Sequence, residues 1–181
     1  MTEELDKLTE VAKYQKGYVA TYQVEVSNQL LHHHEKAGRL ERVLRGIYRM
    51  KQYPIEEDEQ LVVAYLWSRE QGIISHETAL AIHNLSDVLP KKVHMTLPES
   101  CRRVRRKIPE WLELHFADIP EDSQEWYDVV PITRPAQTIV DVAAAGLEPE
   151  LLRQAVDEAK ERRMVADDFE WELIARLQDR C

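Results

Sequence analysis

The amino-acid sequence predicts an α+β protein in two parts: an N-terminal winged helix-turn-helix over residues 1–53 and a larger mixed α/β domain over residues 54–181. Three observations lead there. Short helical segments punctuated by turn residues fill the chain up to Gly38 and give way to two strand-like runs around Arg45-Gly46. Pro54 and the acidic run Glu56-Glu57-Asp58-Glu59 then break the composition. Beyond them apolar strand-like and helical segments mix, with no internal repeat and no low-complexity stretch.

Each element has its own warrant. Leu5, Leu8, Val11 and Ala12 recur at helical spacing within residues 3–14, and Gly17 follows as a stop. Thr21 can cap a short second helix to about Val26, and Ser27 is a good N-cap for a third from Asn28 to Ala37, ended by Gly38. Residues 39–50 read as a hairpin turning at Arg45-Gly46. The acids at 56–59 complement the dipole of a helix whose segment Leu61–Trp67 is apolar enough to be buried. A helix is expected from His76 to about Asn84, and strands at Lys92–Leu97, Leu112–Phe116 and Tyr127–Pro131. Pro135 opens a helix through Ala145, Pro149 another to Arg163, and Asp167 caps a last one with Phe169, Leu173, Ile174 and Leu177 on one face.

The composition, 44% hydrophobic and 31% charged over 181 residues, is that of an ordinary globular chain. No apolar run is long enough to span a bilayer and the first residues are acidic, so neither a membrane helix nor a signal peptide is expected. Cys101 and Cys181 are far apart and form no metal-type pair, which fits a reducing cytoplasm. The net charge of −9 is unevenly spread. Residues 27–53 carry +4 and residues 91–107 carry +6, whereas residues 108–181 carry −11. Because screening limits the reach of exposed charges to roughly 8–10 Å, a ligand meets these islands and not the total.

The first island coincides with the third predicted helix and the hairpin. On that helix Leu30, Leu31 and His34 fall on one side; Asn28, Gln29, His32, His33 and Lys36 spread over the other. Asn and Gln pair bidentately with adenine edges, and Lys and a helix N-terminus meet phosphates, so this face suits a major groove. A merely solvated helix face would show the same residue types. In the hairpin, a turn at Arg45-Gly46 pairs Val43 with Tyr48 and Arg42 with Arg49. That register turns Glu41, Val43, Tyr48 and Met50 toward the helices and sets two like charges opposite each other. A phosphate between them would make a clamp of Arg42, Arg45 and Arg49; ordinary solubilising arginines are the alternative. Lys16, Thr21, Ser27 and Arg39 complete the candidate DNA-binding set.

The second island, Lys91-Lys92 and Arg102-Arg103-Val104-Arg105-Arg106-Lys107, is expected in a loop between strands. Such runs are usually solvated surface, although Arg102, Arg103, Arg105, Arg106 and Lys107 could extend a nucleic-acid footprint or engage an acidic partner. The consecutive His32, His33 and His34 point about 100° apart on a helix and cannot converge on one ion. His76-Glu77 lacks the second histidine of a zinc-protease motif, with Leu80 in its place, so no metal site is expected. There is no glycine-rich phosphate loop and no nucleophile elbow, so neither a cofactor nor catalysis is expected, and Asp141 reads as a packing group.

Taken in succession, several segments resemble the AbiEi-type antitoxins of type IV (abortive infection) toxin–antitoxin systems. They are Gly17-Tyr18-Val19-Ala20-Thr21, Gly38-Arg39-Leu40-Glu41-Arg42-Val43, Arg45-Gly46-Ile47-Tyr48-Arg49, Ile74-Ser75-His76-Glu77-Thr78-Ala79-Leu80, Val93-His94-Met95-Thr96-Leu97-Pro98 and the run from Pro131 to Asp141. The resemblance covers about residues 10–145. It implies an N-terminal domain that binds inverted repeats in its own promoter and represses it, and a C-terminal domain that counteracts a nucleotidyltransferase-class toxin. His32-His33-His34 depart from the family's more basic recognition helix. A stand-alone winged-helix repressor, a protein-interaction module that binds no DNA, and an enzyme acting on the toxin are the competing readings.

Overall fold

A computed structural model of the chain describes residues 2–103, 105–170 and 173–174. It is a mixed α/β protein with two sheets, and it divides into two compact units: one up to Gln71 together with Asp128–Val130, the other made of Gly72–Tyr127 and the chain from Pro131 onward. The first unit therefore runs past Pro54.

That first unit contains α1 (Thr2–Lys13), β1 (Tyr18–Ala20), α2 (Asn28–Lys36), β2 (Leu40–Leu44), β3 (Ile47–Met50) and α3 (Glu59–Trp67). Gly17 makes the passage from α1 into β1. Its φ is +88°, its N–H donates to Ala12 O at 2.8 Å, and a Cβ there would lie 2.5 Å from Tyr53 Cβ. Only glycine fits both the backbone conformation and the space. The helix expected at Thr21–Val26 does not form: these residues make turns and a bend, with Thr21 N–H donating to Gly46 O at 2.8 Å. Gln23 instead bonds Ala20 N–H through its side chain, the local competition with helix that short polar segments allow.

Helix α2 begins where its capping chemistry says it should. Ser27 has extended backbone and its Oγ accepts from Leu30 N–H at 3.2 Å. The strands form an antiparallel sheet in the order β1-β3-β2. One face carries Val19, Tyr48, Leu40 and Met50 into a core with Leu8, Ala12 and Leu31. Tyr18 is buried too, and its hydroxyl donates to Glu59 of α3. The segment Leu61–Trp67 is buried except Tyr65, as its apolar composition requires.

The second unit is built on a five-stranded sheet of order β6-β5-β4-β8-β7. Its elements are β4 (Ile73–Ile74), α4 (His76–Ile82), β5 (Val93–Leu97), β6 (Leu112–Phe116), β7 (Gln124–Tyr127), β8 (Val130–Thr133), α5 (Pro135–Ala144) and α6 (Pro149–Glu161). The sheet is mixed: β4 runs antiparallel to β5 and parallel to β8, and β5 runs parallel to β6. The strand expected at Tyr127–Pro131 is interrupted: Tyr127 ends β7, residues 128–129 turn with Asp128 at φ +53°, and Val130-Pro131 begin β8. Helices α4, α5 and α6 bury Leu80, Ile139, Val140 and Val156 around Phe169, which is 1% exposed. Leu173 joins this core while Ile174 is exposed; Leu177 lies outside the described residues. Asp141 is a buried packing group, its Oδ1 accepting from Gln137 Nε2 at 2.8 Å.

Candidate nucleic-acid interface

The α2 face expected to meet a groove is in the open. Ser27, Asn28, Gln29, His32, His33, Lys36 and Arg39 are all exposed, while Leu30, Leu31 and His34 are buried. The helix is nine residues long, and its inward side is fixed by Leu31 in the core. Arg39 reaches back so that its Nη1 lies 3.2 Å from His34 Nδ1, which leaves the guanidinium partly engaged. Thr21 is half-buried beneath the hairpin turn and shows less of itself than the sequence pattern implies.

The hairpin corrects the expected clamp. Its turn is at Arg45-Gly46, with Gly46 at φ +79°. The register, however, pairs Glu41 with Arg49, Arg42 with Tyr48 and Leu44 with Ile47, leaving Val43 as an extra residue. This bulge breaks the two-residue alternation on which the expectation rested. Val43 is exposed instead of inward, Glu41 is exposed as well, and Arg42 never faces Arg49.

Arg49 is withdrawn from the candidate surface. Its Nη2 donates to Glu41 Oε2 at 2.7 Å, its Nη1 donates to Tyr53 O at 3.3 Å, and its side chain is 12% exposed. The guanidinium in turn holds the Glu41 carboxyl below the usual carboxylate range. Lys16 is withdrawn in the same way: its Nζ sits 2.7 Å from Glu56 and 2.5 Å from Asp128, with 15% of the side chain exposed. Burial alone would lower the lysine pKa; hydrogen bonds and charge from the two carboxylates overcome that and raise it. Arg42 and Arg45 differ: both are exposed, and neither pairs with a carboxylate among the described residues. The free cationic tip of the hairpin is thus two arginines, not three.

The second unit holds a cluster that the sequence did not reveal. His76, from α4, stacks on His115 of β6 with ring centroids 3.4 Å apart and planes 11° apart. His94 of β5 brings its Nδ1 within 3.0 Å of His115 Nε2. Beneath them, the buried hydroxyls of Ser75 and Thr96 meet at 2.7 Å, and His76 Nδ1 lies 2.9 Å from Ser75 Oγ. His76 itself is a non-glycine residue at φ +52°, an uncommon conformation. Glu77 stands 4.0 Å from His94, and Lys92 pairs with Glu113 at 2.8 Å. Burial lowers the pKa of His94 and pushes that of His115 down to about 4. Among the described residues no group of three or more His, Cys, Asp or Glu is disposed to hold a metal ion. Three histidines spread over 40 positions give no signal in the sequence; the parallel pairing of β5 with β6 brings His94 and His115 together, and α4 adds His76.

Of the second basic island, Arg102, Arg103, Arg105, Arg106 and Lys107 are exposed in the connection from β5 to β6. Arg102 makes a two-pronged pair with Glu99, at 2.6 and 2.8 Å.

No family model and no curated protein matches the chain. Among solved structures it is similar to the RV2827C protein from Mycobacterium tuberculosis, with a TM-score of 0.55 at 13% identity, over 96% of this chain and 71% of that one. At such identity the likeness is one of fold.

Proposed function

We propose that the first unit is a winged helix-turn-helix that binds duplex DNA, and that the chain is the autorepressing antitoxin of a type IV pair, counteracting a nucleotidyltransferase-class toxin. In this reading α2 is the recognition helix, the turns at residues 21–24 replace the usual preceding helix, and the β2-β3 hairpin is the wing. The observation that carries it is the exposed polar face of α2, Asn28, Gln29, His32, His33 and Lys36, in one unit with the unpaired Arg42 and Arg45. A helix with its apolar side anchored and its amide side chains outward is what base-edge reading requires. The two arginines supply the phosphate contacts that set register without reading sequence. The antitoxin half of the proposal rests on the segments that resemble AbiEi-type chains.

The test is binding to the DNA upstream of the chain's own gene. Arg42→Gln with Arg45→Gln is expected to weaken binding to all sequences and to flatten the dependence of log Kd on log salt by about 0.9 per arginine. Asn28→Ala or Gln29→Ala is expected to alter sequence preference at unchanged salt slope. Footprinting that protects the upstream region no better than random DNA defeats the proposal. Growth rescue on co-expression with the adjacent gene tests the antitoxin role.

A further inference from the structure

We infer that the loop between β5 and β6 in the second unit is a second, sequence-independent contact for the phosphate backbone of duplex DNA. The loop carries Arg102, Arg103, Arg105, Arg106 and Lys107, all exposed, on a connection that runs from residue 98 to residue 111. Carboxylates are not scarce in this part of the chain, since residues 108–181 alone hold 18 acidic groups against seven basic ones. Glu99 engages Arg102, which also lies over the Phe116 ring at 5.5 Å. Arg103 and Arg105 pair with no carboxylate among the described residues. Basic groups this close in sequence repel one another, and a polyanion removes that repulsion while releasing its own counterions.

Two features favour a phosphate backbone over an acidic protein. Four of the five cations are arginine, whose planar fork donates to two phosphate oxygens at once. A protein interface also needs a buried apolar centre ringed by polar groups. Among the described residues, Ile108, 45% exposed, is the one large apolar side chain that the loop exposes. The second unit thereby adds affinity without sequence information, a division of roles separate from that proposed for α2.

The experiment uses the full chain and a mixed-sequence duplex without the upstream repeats. Wild type, Arg103→Gln/Arg105→Gln and Arg42→Gln/Arg45→Gln are titrated across roughly 50 to 200 mM salt. Both loop positions are exposed, and unchanged circular dichroism confirms folding. The loop variant is expected to bind more weakly at low salt, and its Kd ratio to wild type to shrink about tenfold across the range, the effect of two lost phosphate contacts. Equal Kd and equal slope for the loop variant overturn the inference, whatever the hairpin variant does. A loop variant that weakens while the hairpin variant matches wild type supports the loop and counts against the proposed wing. Retention of wild type by polyglutamate or single-stranded RNA, with no duplex binding, also overturns it.

Discussion

Acid is expected to loosen the second unit through His115. Burial first, then the neighbouring His94, pushes His115 down from 6.5 to about 4, with Glu113 pulling the other way. The groups facing the ring are His76 from α4 and His94 from β5, with Glu77, Lys92 and Glu113 around them. The 3.0 Å between His94 Nδ1 and His115 Nε2 leaves room for one hydrogen, so a second proton breaks the contact. Since the folded-state value is depressed, the unfolded chain holds more protons below pH 6.5; stability is complete above that pH and drains as pH falls toward about 4. A shift of that size would be worth about 3 kcal/mol in a dry interior. The ring is only half-buried, so solvent screening reduces this to about 1–2 kcal/mol. Roughly 1 kcal/mol of it goes between about pH 7 and pH 5. Urea unfolding of wild type and His115→Gln at both pH values reads this directly. Wild type should lose about 1 kcal/mol more than the variant on acidification, and identical pH slopes for the two proteins would refute the reasoning.

Arg49→Gln is expected to cost about 0.5–1 kcal/mol of stability, through the lost bond to Glu41 and the stranded Tyr53 carbonyl, while leaving the salt slope of DNA binding unchanged; denaturant unfolding and a salt titration check the two halves. Gly17→Ala is expected to destabilise the first unit by about 2–3 kcal/mol, because φ +88° and the contact with Tyr53 Cβ at 2.5 Å both exclude a methyl. A melting temperature equal to wild type would show that Tyr53 can move aside.

Helix α2 was legible in the sequence because its limits are written in side-chain chemistry. Ser27 supplies a cap, Gly38 has the positive φ of a stop, and the Leu30, Leu31, His34 spacing assigns its buried face. The burial of Leu61–Trp67 was equally plain, since no face of that segment is polar. The hairpin misled for a physical reason. Its turn was marked by Arg45-Gly46, but a bulge carries no residue signature when the extra position is a valine, so every partner before Val43 shifted by one. The turn at Asp128 was hidden in a similar way, by a residue that tolerates positive φ without announcing it. Cationic residues could be counted from sequence but not assigned. Whether an arginine is free depends on where carboxylates fall in space, which separated Lys16 and Arg49 from Arg42 and Arg45. The histidine cluster depends on sheet order, which no local pattern encodes.

The odd residue in β2 has a consequence for how this hairpin tolerates change in chain length. Because Val43 sits outside the ladder, Glu41 falls opposite Arg49, where the two neutralise each other, and Arg42 falls opposite Tyr48 and stays bare, as does Arg45 in the turn. Removing that one residue would leave those pairs in register, whereas drawing it into the ladder opposite Tyr48 would set Arg42 against Arg49 and make two guanidiniums compete for a single carboxylate. A one-residue spacer thus lets neighbouring arginines on one ribbon serve opposite ends, one locking the fold and the other left for something outside it.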